Sequence, residues 1–288
     1  MTEQQPFSLE QSPVFPVDPH AAHEADFPFQ RWAVKIEYDG TGLVGWQKQN
    51  DGTSVQGLLE AAAMRMANGR RISSITAGRT DAGVHATGQV AHLDFPADMN
   101  LAPHIVRDGL SYHLKPNPVA VLQAARVTEK WSARFSATWR SYLYRIINRP
   151  APPALGATHM WHVRARLNLD RMRQGAERLV GTHDFTSFRA AACQARNPVR
   201  TLDSLTIERV GEEIHIRTRA RSFLHHQVRN MVGTLVLVGR DRWEPERIST
   251  ALEARSRTAG GPTAPPEGLY LTGVGYNPDP FSDDPPAA

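Results

Sequence analysis

The chain of 288 residues contains one cysteine, Cys193, so no disulfide can form within it. No apolar run reaches the ~18–20 residues that cross a bilayer. The longest candidate, Met231–Val238, is short and interrupted by Gly233. The N-terminus lacks a basic segment followed by an apolar one, so no signal peptide is expected. These absences point to the cytoplasm and away from membranes. A Walker A loop, a G-x-S-x-G elbow and the C-x-x-C and H-x-x-E-H patterns are also missing. Their absence removes the usual sequence signs of nucleotide, serine-hydrolase and zinc chemistry. Nor is one sign of charge in large excess. Thirty-three Lys and Arg face 29 Asp and Glu, a net +4 that suits an RNA partner without singling one out.

Twelve histidines keep metal in play. His225 and His226 fall on a helix expected to run from Leu224 to Val238. Adjacent helical side chains point about 100° apart, so the two should not share an ion easily. No metal and no cofactor are expected.

Residues 1–28 are rich in proline and polar side chains without helical or strand period, and read as a disordered arm. Residues 277–288 read as a flexible tail. Between them strands and helices follow in mixed order. Expected strands are Ala33–Tyr38, Ile75–Ala77, Gly88–Phe95, Ala120–Val127, Ser141–Ile147, Leu202–Val210, Ile214–Ala220 and one ending near Tyr276. Expected helices begin at a Thr53/Gln56 capping box, at Pro103, Leu169, Leu224 and Pro245. Arg149–Pro153 reads as a linker, dividing the body into lobes 29–148 and 149–276 with similar element order. The expectation is an α+β fold of two related α/β lobes sharing a largely antiparallel sheet.

Gly40-Thr41-Gly42-Leu43-Val44-Gly45 matches the dinucleotide fingerprint, but a polar stretch follows where a helix should begin, so it reads as a turn. Ala77–His85 places Arg79 and Asp81 between two glycines just after a strand, where a carboxylate can meet a ligand. The competing reading is an aspartate that hydrogen-bonds its own turn. Ile214–Arg221 alternates, with Arg217, Arg219 and Arg221 on one face at roughly 6–7 Å spacing, either a phosphate-binding row or a solvated face. Tyr142 and Tyr144 share a strand face, as core residues or as a base-stacking platform.

Together these segments resemble the tRNA pseudouridine synthase A family. The resemblance is carried by Ile36–Gly40 with Gly45-Trp46-Gln47, and by Ala77-Gly78-Arg79-Thr80-Asp81-Ala82-Gly83-Val84-His85. It continues in Arg134–Thr138 leading to Tyr142, Asp184–Phe188, Phe223–Asn230 and Glu267–Tyr270. The blocks run in order through nearly the whole body, and the Arg-Thr-Asp-Ala-Gly-Val-His block is the most specific. The resemblance implies two lobes with a cleft between them, a homodimer, and action on uridine in the 3′ side of the tRNA anticodon stem-loop, nucleotides 38–40. It also implies that Asp81 is the nucleophile, that Tyr142 stacks on the uracil, that Arg229 pairs with Asp81 and that Arg79 helps displace the base. The long N-terminal arm is not part of the family's pattern. The reaction moves the C1′ bond of uracil from N1 to C5, so no cofactor is called for. Whether the carboxylate bonds to C1′ or assists loss of a 2′ proton stays open. A non-catalytic RNA-binding protein on the same fold, with Asp81 as a turn residue, is the alternative.

Overall fold

The computed structural model describes residues 27–282; the expected arm, apart from its last two residues, and tail positions 283–288 lie outside them. The elements in chain order are β1 (Phe29–Tyr38), α1 (Val55–Met66), β2 (Ser74–Thr76), β3 (His85–Pro96), α2 (Pro103–Leu114), β4 (Val119–Val127) and β5 (Trp139–Ile147). There follow β6 (Trp161–His162), α3 (Leu169–Glu177), β7 (Gly181–Asp184), β8 (Val199–Val210), β9 (Glu213–Ala220), α4 (Gln227–Gly239), α5 (Arg247–Ala254) and β10 (Leu269–Gly275). One sheet runs β4-β1-β3-β10-β5-β9-β8-β7, with β2 beside β3 and β6 beside β5. Its pairings are antiparallel except β3–β10 and β5–β6. The α+β expectation holds.

Directly paired residues share a sheet face, and one face carries both cores. In the first, Trp32, Val34, Ile36 and Tyr38 of β1 pack with Leu59, Ala62 and Ala63 of α1 and Val106 and Leu110 of α2. In the second, Ile214 and Ile216 of β9 and Leu205 and Ile207 of β8 pack with Met172 of α3 and Met231, Leu235 and Val238 of α4. The cores trade strands: Tyr144 and Ile146 of β5 lie in the second, and Leu271 of β10 in the first. Register then puts Tyr142 at the seam. It pairs with Leu271 on one side and Thr218 on the other, and its ring packs against both cores.

Three helix starts differ from expectation, the simplest being α5, which begins at Arg247 and not Pro245. The cap of α1 is Ser54, whose Oγ accepts from Gly57 N–H at 3.1 Å, and not Thr53. Gln56 instead accepts from Lys48 N–H and donates to Glu60. The far end falls where Asn68-Gly69 in the sequence marks a helix stop, with Asn68 (φ 51°) and Gly69 (φ 86°) in the left-handed region. Helix α4 starts at Gln227, three residues after the expected Leu224, because His226 takes φ 61°, ψ 4° and cannot continue a right-handed helix. In the expected tail, Phe281 packs, with Trp131 and Val274, against the small cluster of Ala77, Val90, Ala133, Ala137 and Tyr276. Among the described residues, no helix is long and apolar enough to cross a membrane.

Candidate active site

Asp81 sits in a loop braced from behind. Val84 N–H returns to the Asp81 carbonyl at 3.1 Å, and Gly83 takes φ +76°. The segment 40–45 lies flat against this loop. A Cβ on Gly40 would stand 2.2 Å from the Val84 carbonyl oxygen, and one on Gly45 2.5 Å from that of Thr80. Those glycines permit close backbone approach, and Trp46 N–H bonds the Thr80 carbonyl at 3.0 Å. The fingerprint-like glycines are thus a bed for the Asp81 loop, in line with the turn reading. Buried Thr80 and Tyr38 share a 2.7 Å hydrogen bond, and Gln89 Nε2 donates to the Gly78 carbonyl at 2.8 Å.

The Asp81 carboxylate faces the start of α4. Arg229 Nη1 donates to Asp81 Oδ2 at 2.9 Å, across 148 positions of sequence. The guanidinium is oriented by its Nε, which donates to the Ala264 carbonyl at 2.8 Å. Both side chains are largely buried, 23% and 13% exposed, so the pair is a charge-assisted hydrogen bond shielded from bulk water. Asp81 is therefore not the self-bonded turn aspartate of the competing reading.

His225 and His226 complete the cluster. Their Nε2 atoms lie 3.3 Å from Asp81 Oδ1 and Oδ2, with ring centroids 4.1 Å apart. The expected divergence of the two rings is wrong, for they precede α4 and the left-handed backbone at His226 turns both to one carboxylate. The three groups are close enough to bridge an ion. Arg229, 2.9 Å from the same carboxylate, already supplies a fixed positive charge that a divalent cation would have to oppose.

Tyr142 stands edge-on to Phe223, with centroids 5.1 Å apart and planes at 88°. Burial first, then nearby Tyr38 and Asp81, pushes its phenol well above the usual range, so it keeps its proton at neutral pH. Tyr144, on the same face, is fully buried and donates to the Pro265 carbonyl at 2.7 Å. The two tyrosines thus divide, one into the core and one at the seam.

Arg79 is exposed, two residues before Asp81 in the same loop. The row on β9 is not brought to this site. Arg217 and Arg219 pair with Leu143 and Ser141, so they lie on the sheet face opposite Tyr142. Arg217 is paired with Glu208 at 3.1 Å, and Arg219 lies over the Trp139 ring at 4.4 Å. Arg221, just past β9, is exposed, and its carbonyl accepts from Arg140 at 2.7 Å.

A second aspartate–histidine cluster escaped sequence reading. His85 Nδ1 is 3.1 Å from Asp39 Oδ1, and His159 Nε2 is 3.1 Å from Asp39 Oδ2. The His85 ring is stacked between His159 and Tyr270. Its Nδ1 accepts from Gly40 N–H at 3.0 Å, and its Nε2 faces the carbonyls of Thr158 and Glu267 at 3.1 and 3.2 Å. Both nitrogens are therefore spent on backbone, leaving no lone pair for an ion. The only local sign in the sequence was His85 at the end of the Asp81 loop.

Two cores on one sheet, with an arginine-clamped aspartate and a tyrosine at their seam, have the frame of a base-modifying enzyme and not of a dinucleotide-binding one. The chain matches the tRNA pseudouridine synthase family over residues 34–136 and 176–277, and it belongs to that family. It is 61% identical over 252 residues to a tRNA pseudouridine synthase A of Gluconobacter oxydans (strain 621H), covering 88% of this chain and 92% of the relative. A relative of the same name from Acidiphilium cryptum (strain JF-5) is 55% identical over 253 residues, covering 88% and 98%. Another, from Paramagnetospirillum magneticum (strain ATCC 700264 / AMB-1), is 57% identical over 247 residues, covering 86% and 95%.

Proposed function

We propose that this chain isomerises uridine to pseudouridine on the 3′ side of the tRNA anticodon stem-loop, with Asp81 as nucleophile. One observation carries the reading. Asp81, Tyr142 and Arg229 come from three separate segments and converge at the seam of the two cores, with the carboxylate clamped at 2.9 Å. In this reaction the N1–C1′ bond breaks, the uracil turns, and C5 bonds to C1′. Asp81 attacks C1′ as N1 leaves, and C5 then displaces the carboxylate from C1′, C5 giving up its proton and N1 taking one; Arg229 orients the carboxylate and balances its charge. Tyr142 presents its ring to the uracil. The nucleotide keeps its composition, so the proposal includes no cofactor. Such an isomerase must keep water from the freed base and sugar, and a largely buried aspartate between packed cores suits that need.

The target base leaves its stack at a cost of a few kcal/mol, and Arg79, exposed in the Asp81 loop, helps displace it. Arg217, Arg219 and Arg221 contact phosphates of the tRNA beyond the target nucleotide. Two lobes at 29–148 and 149–276, a homodimeric assembly and a cytoplasmic location belong to the same reading. A protein that only bound RNA would gain nothing from an aspartate held by an arginine and two histidines. Whole tRNA carrying C5-tritiated uridine provides the test. The parent is expected to release tritium, and Asp81→Asn to bind tRNA without release. A parent that binds tRNA and releases none would favour the RNA-binding alternative.

A further inference from the structure

We propose that Arg140 is a positioning residue, setting the separation between the loop that carries Asp81 and the segment that carries Arg229. The proposal rests on the reading that Asp81 and Arg229 act on uridine. Arg140 lies near the start of β5 and is 8% exposed. Its guanidinium binds backbone carbonyls. Nη2 donates to Ala77 at 2.8 Å and to Arg134 at 2.7 Å. Nη1 donates to Arg221 at 2.7 Å and, more weakly, to Ala137 at 3.4 Å. No ion pair joins Arg140 to a carboxylate among the described residues. A buried charge without a counter-ion is costly, and an apolar side chain of similar length would fill the space at less cost. What the guanidinium adds is a planar fork, whose donors hold carbonyls of separate segments at fixed separations.

The two segments held most closely are the roots of the site. Ala77 follows β2 and opens the loop that reaches Asp81 four residues on. Its N–H donates to the Val90 carbonyl of β3 at 2.8 Å, so both its backbone polar groups are fixed, one by the sheet and one by Arg140. Ala220 ends β9 and pairs with Arg140. Arg140 takes the carbonyl of the next residue, Arg221, as the chain leaves the sheet. Arg229 lies eight residues further on. At the far ends of these same two segments Arg229 grips Asp81 at 2.9 Å. One arginine therefore joins the segments at the root and the other at the tip, and a shift at the root moves the tip. Tyr142 stands two residues beyond Arg140 on the same face of β5, so the tyrosine and the clamped aspartate share one anchor. Because its donors are spent on carbonyls, Arg140 acts through these neighbours and not on the substrate.

The test measures single-turnover pseudouridine formation at saturating enzyme, and tRNA affinity, for the parent, Arg140→Met, Arg140→Lys, Arg229→Lys and Arg140→Lys/Arg229→Lys, at a temperature where each is folded. Lysine keeps the charge but gathers its donors on one nitrogen, which cannot span carbonyls as a fork does. Arg140→Met should lower the rate by about 100-fold, the loss expected from a misplacement of about 1 Å, with tRNA affinity kept. Arg140→Lys should recover part of that rate. The double variant should lose less than the product of its two single losses, because each change loosens the same clamp. A residue that only braces the core would give losses that multiply, and multiplying losses overturn the proposal. So does an Arg140→Met rate within about tenfold of the parent's, or a loss of tRNA affinity with the saturating rate unchanged. If Arg140→Met does not fold, Arg140→Lys and the double variant decide by the same comparison. Failure of Arg140→Lys to fold makes Arg140 a brace of the core and overturns the proposal as well. A parent that forms no pseudouridine overturns the functional reading and this one together. An active parent with multiplying losses overturns this one alone.

Discussion

The molecule holds two clusters of one aspartate and two histidines, built to nearly the same dimensions and spent differently. In Asp39–His85–His159 the separations are 3.1 Å, and in Asp81–His225–His226 they are 3.3 Å. His85 is 2% exposed, and both its nitrogens are taken by backbone groups of three other segments. Asp39 also accepts from Thr41 N–H at 2.9 Å. That cluster ties the 40–45 bed, the loop before β6 and the approach to β10 into one piece. Around Asp81 the backbone takes almost nothing, and the carboxylate and two imidazoles keep their chemistry for something else. Composition does not separate a clamp from a site; the number of unspent lone pairs does.

The comparison breaks most plainly at Asp81. Asp81→Asn keeps the shape and removes the charge. Single-turnover pseudouridine formation at saturating enzyme should fall by about 1000-fold or more, roughly 4 kcal/mol of barrier, while the thermal midpoint and tRNA affinity hold. A rate within about tenfold of the parent would return Asp81 to the role of turn residue. Arg229 comes next. Arg229→Lys keeps the charge but loses the planar fork that bonds both Asp81 and the Ala264 carbonyl. It should therefore turn over more slowly than the parent and faster than Arg229→Met. Equal rates for the two variants would show that the fork's geometry and not its charge carries the effect.

The clamp should fail in stability instead. His85→Ala strands Gly40 N–H and leaves two carbonyls without their donor, a loss of about 2–4 kcal/mol. His225→Ala, half-exposed, should cost under about 1 kcal/mol. Urea unfolding compares them directly, and equal losses would remove the distinction between the clusters. Acid sharpens it. Burial holds the His85 pKa below its ordinary 6.5, although Asp39 pulls the other way. As pH falls below about 6.5 the unfolded chain takes a proton there that the folded chain refuses, so stability falls. Above 6.5 the contribution is fully present. The drop in urea midpoint between pH 7.5 and pH 5 should therefore be smaller in His85→Ala than in the parent.

Local pattern made the strands legible. Half-buried strands such as β9 alternate because one face meets a core, and that period survives in the sequence. Capping erred by one residue because Thr53 and Ser54 are chemically alike, and only the backbone decides which is the cap. The start of α4 was missed because Phe223 and Leu224 extend its apolar period outward. Nothing but the permissiveness of histidine marks the left-handed turn at His226. Without that turn the two imidazoles could not be seen to converge. The pairing of Asp81 with Arg229 spans 148 positions and was reached through family resemblance alone. Which sheet face carries an arginine row depends on how β9 registers against β5, a long-range property that no window of β9 contains.

That row carries the smallest expected effect, and it tests the same principle of spent and unspent partners. Arg217 already has Glu208 at 3.1 Å, both about half exposed. Among the described residues Arg219 has only the face of Trp139, which leaves its charge unpaired by a carboxylate there. A phosphate would have to draw Arg217 away from its carboxylate, and an exposed pair of this kind contributes about 0–1 kcal/mol on its own. If both arginines touch tRNA, Arg219→Ala should lower the salt slope of binding by about one ion, and Arg217→Ala by less. Neither should alter the rate at saturating enzyme, because both lie across the sheet from Tyr142. Binding titrations from low to physiological salt read the two slopes. An unchanged slope in both variants would make β9 a solvated face, and a fall in the saturating rate would mean that the sheet does not separate the row from the chemistry.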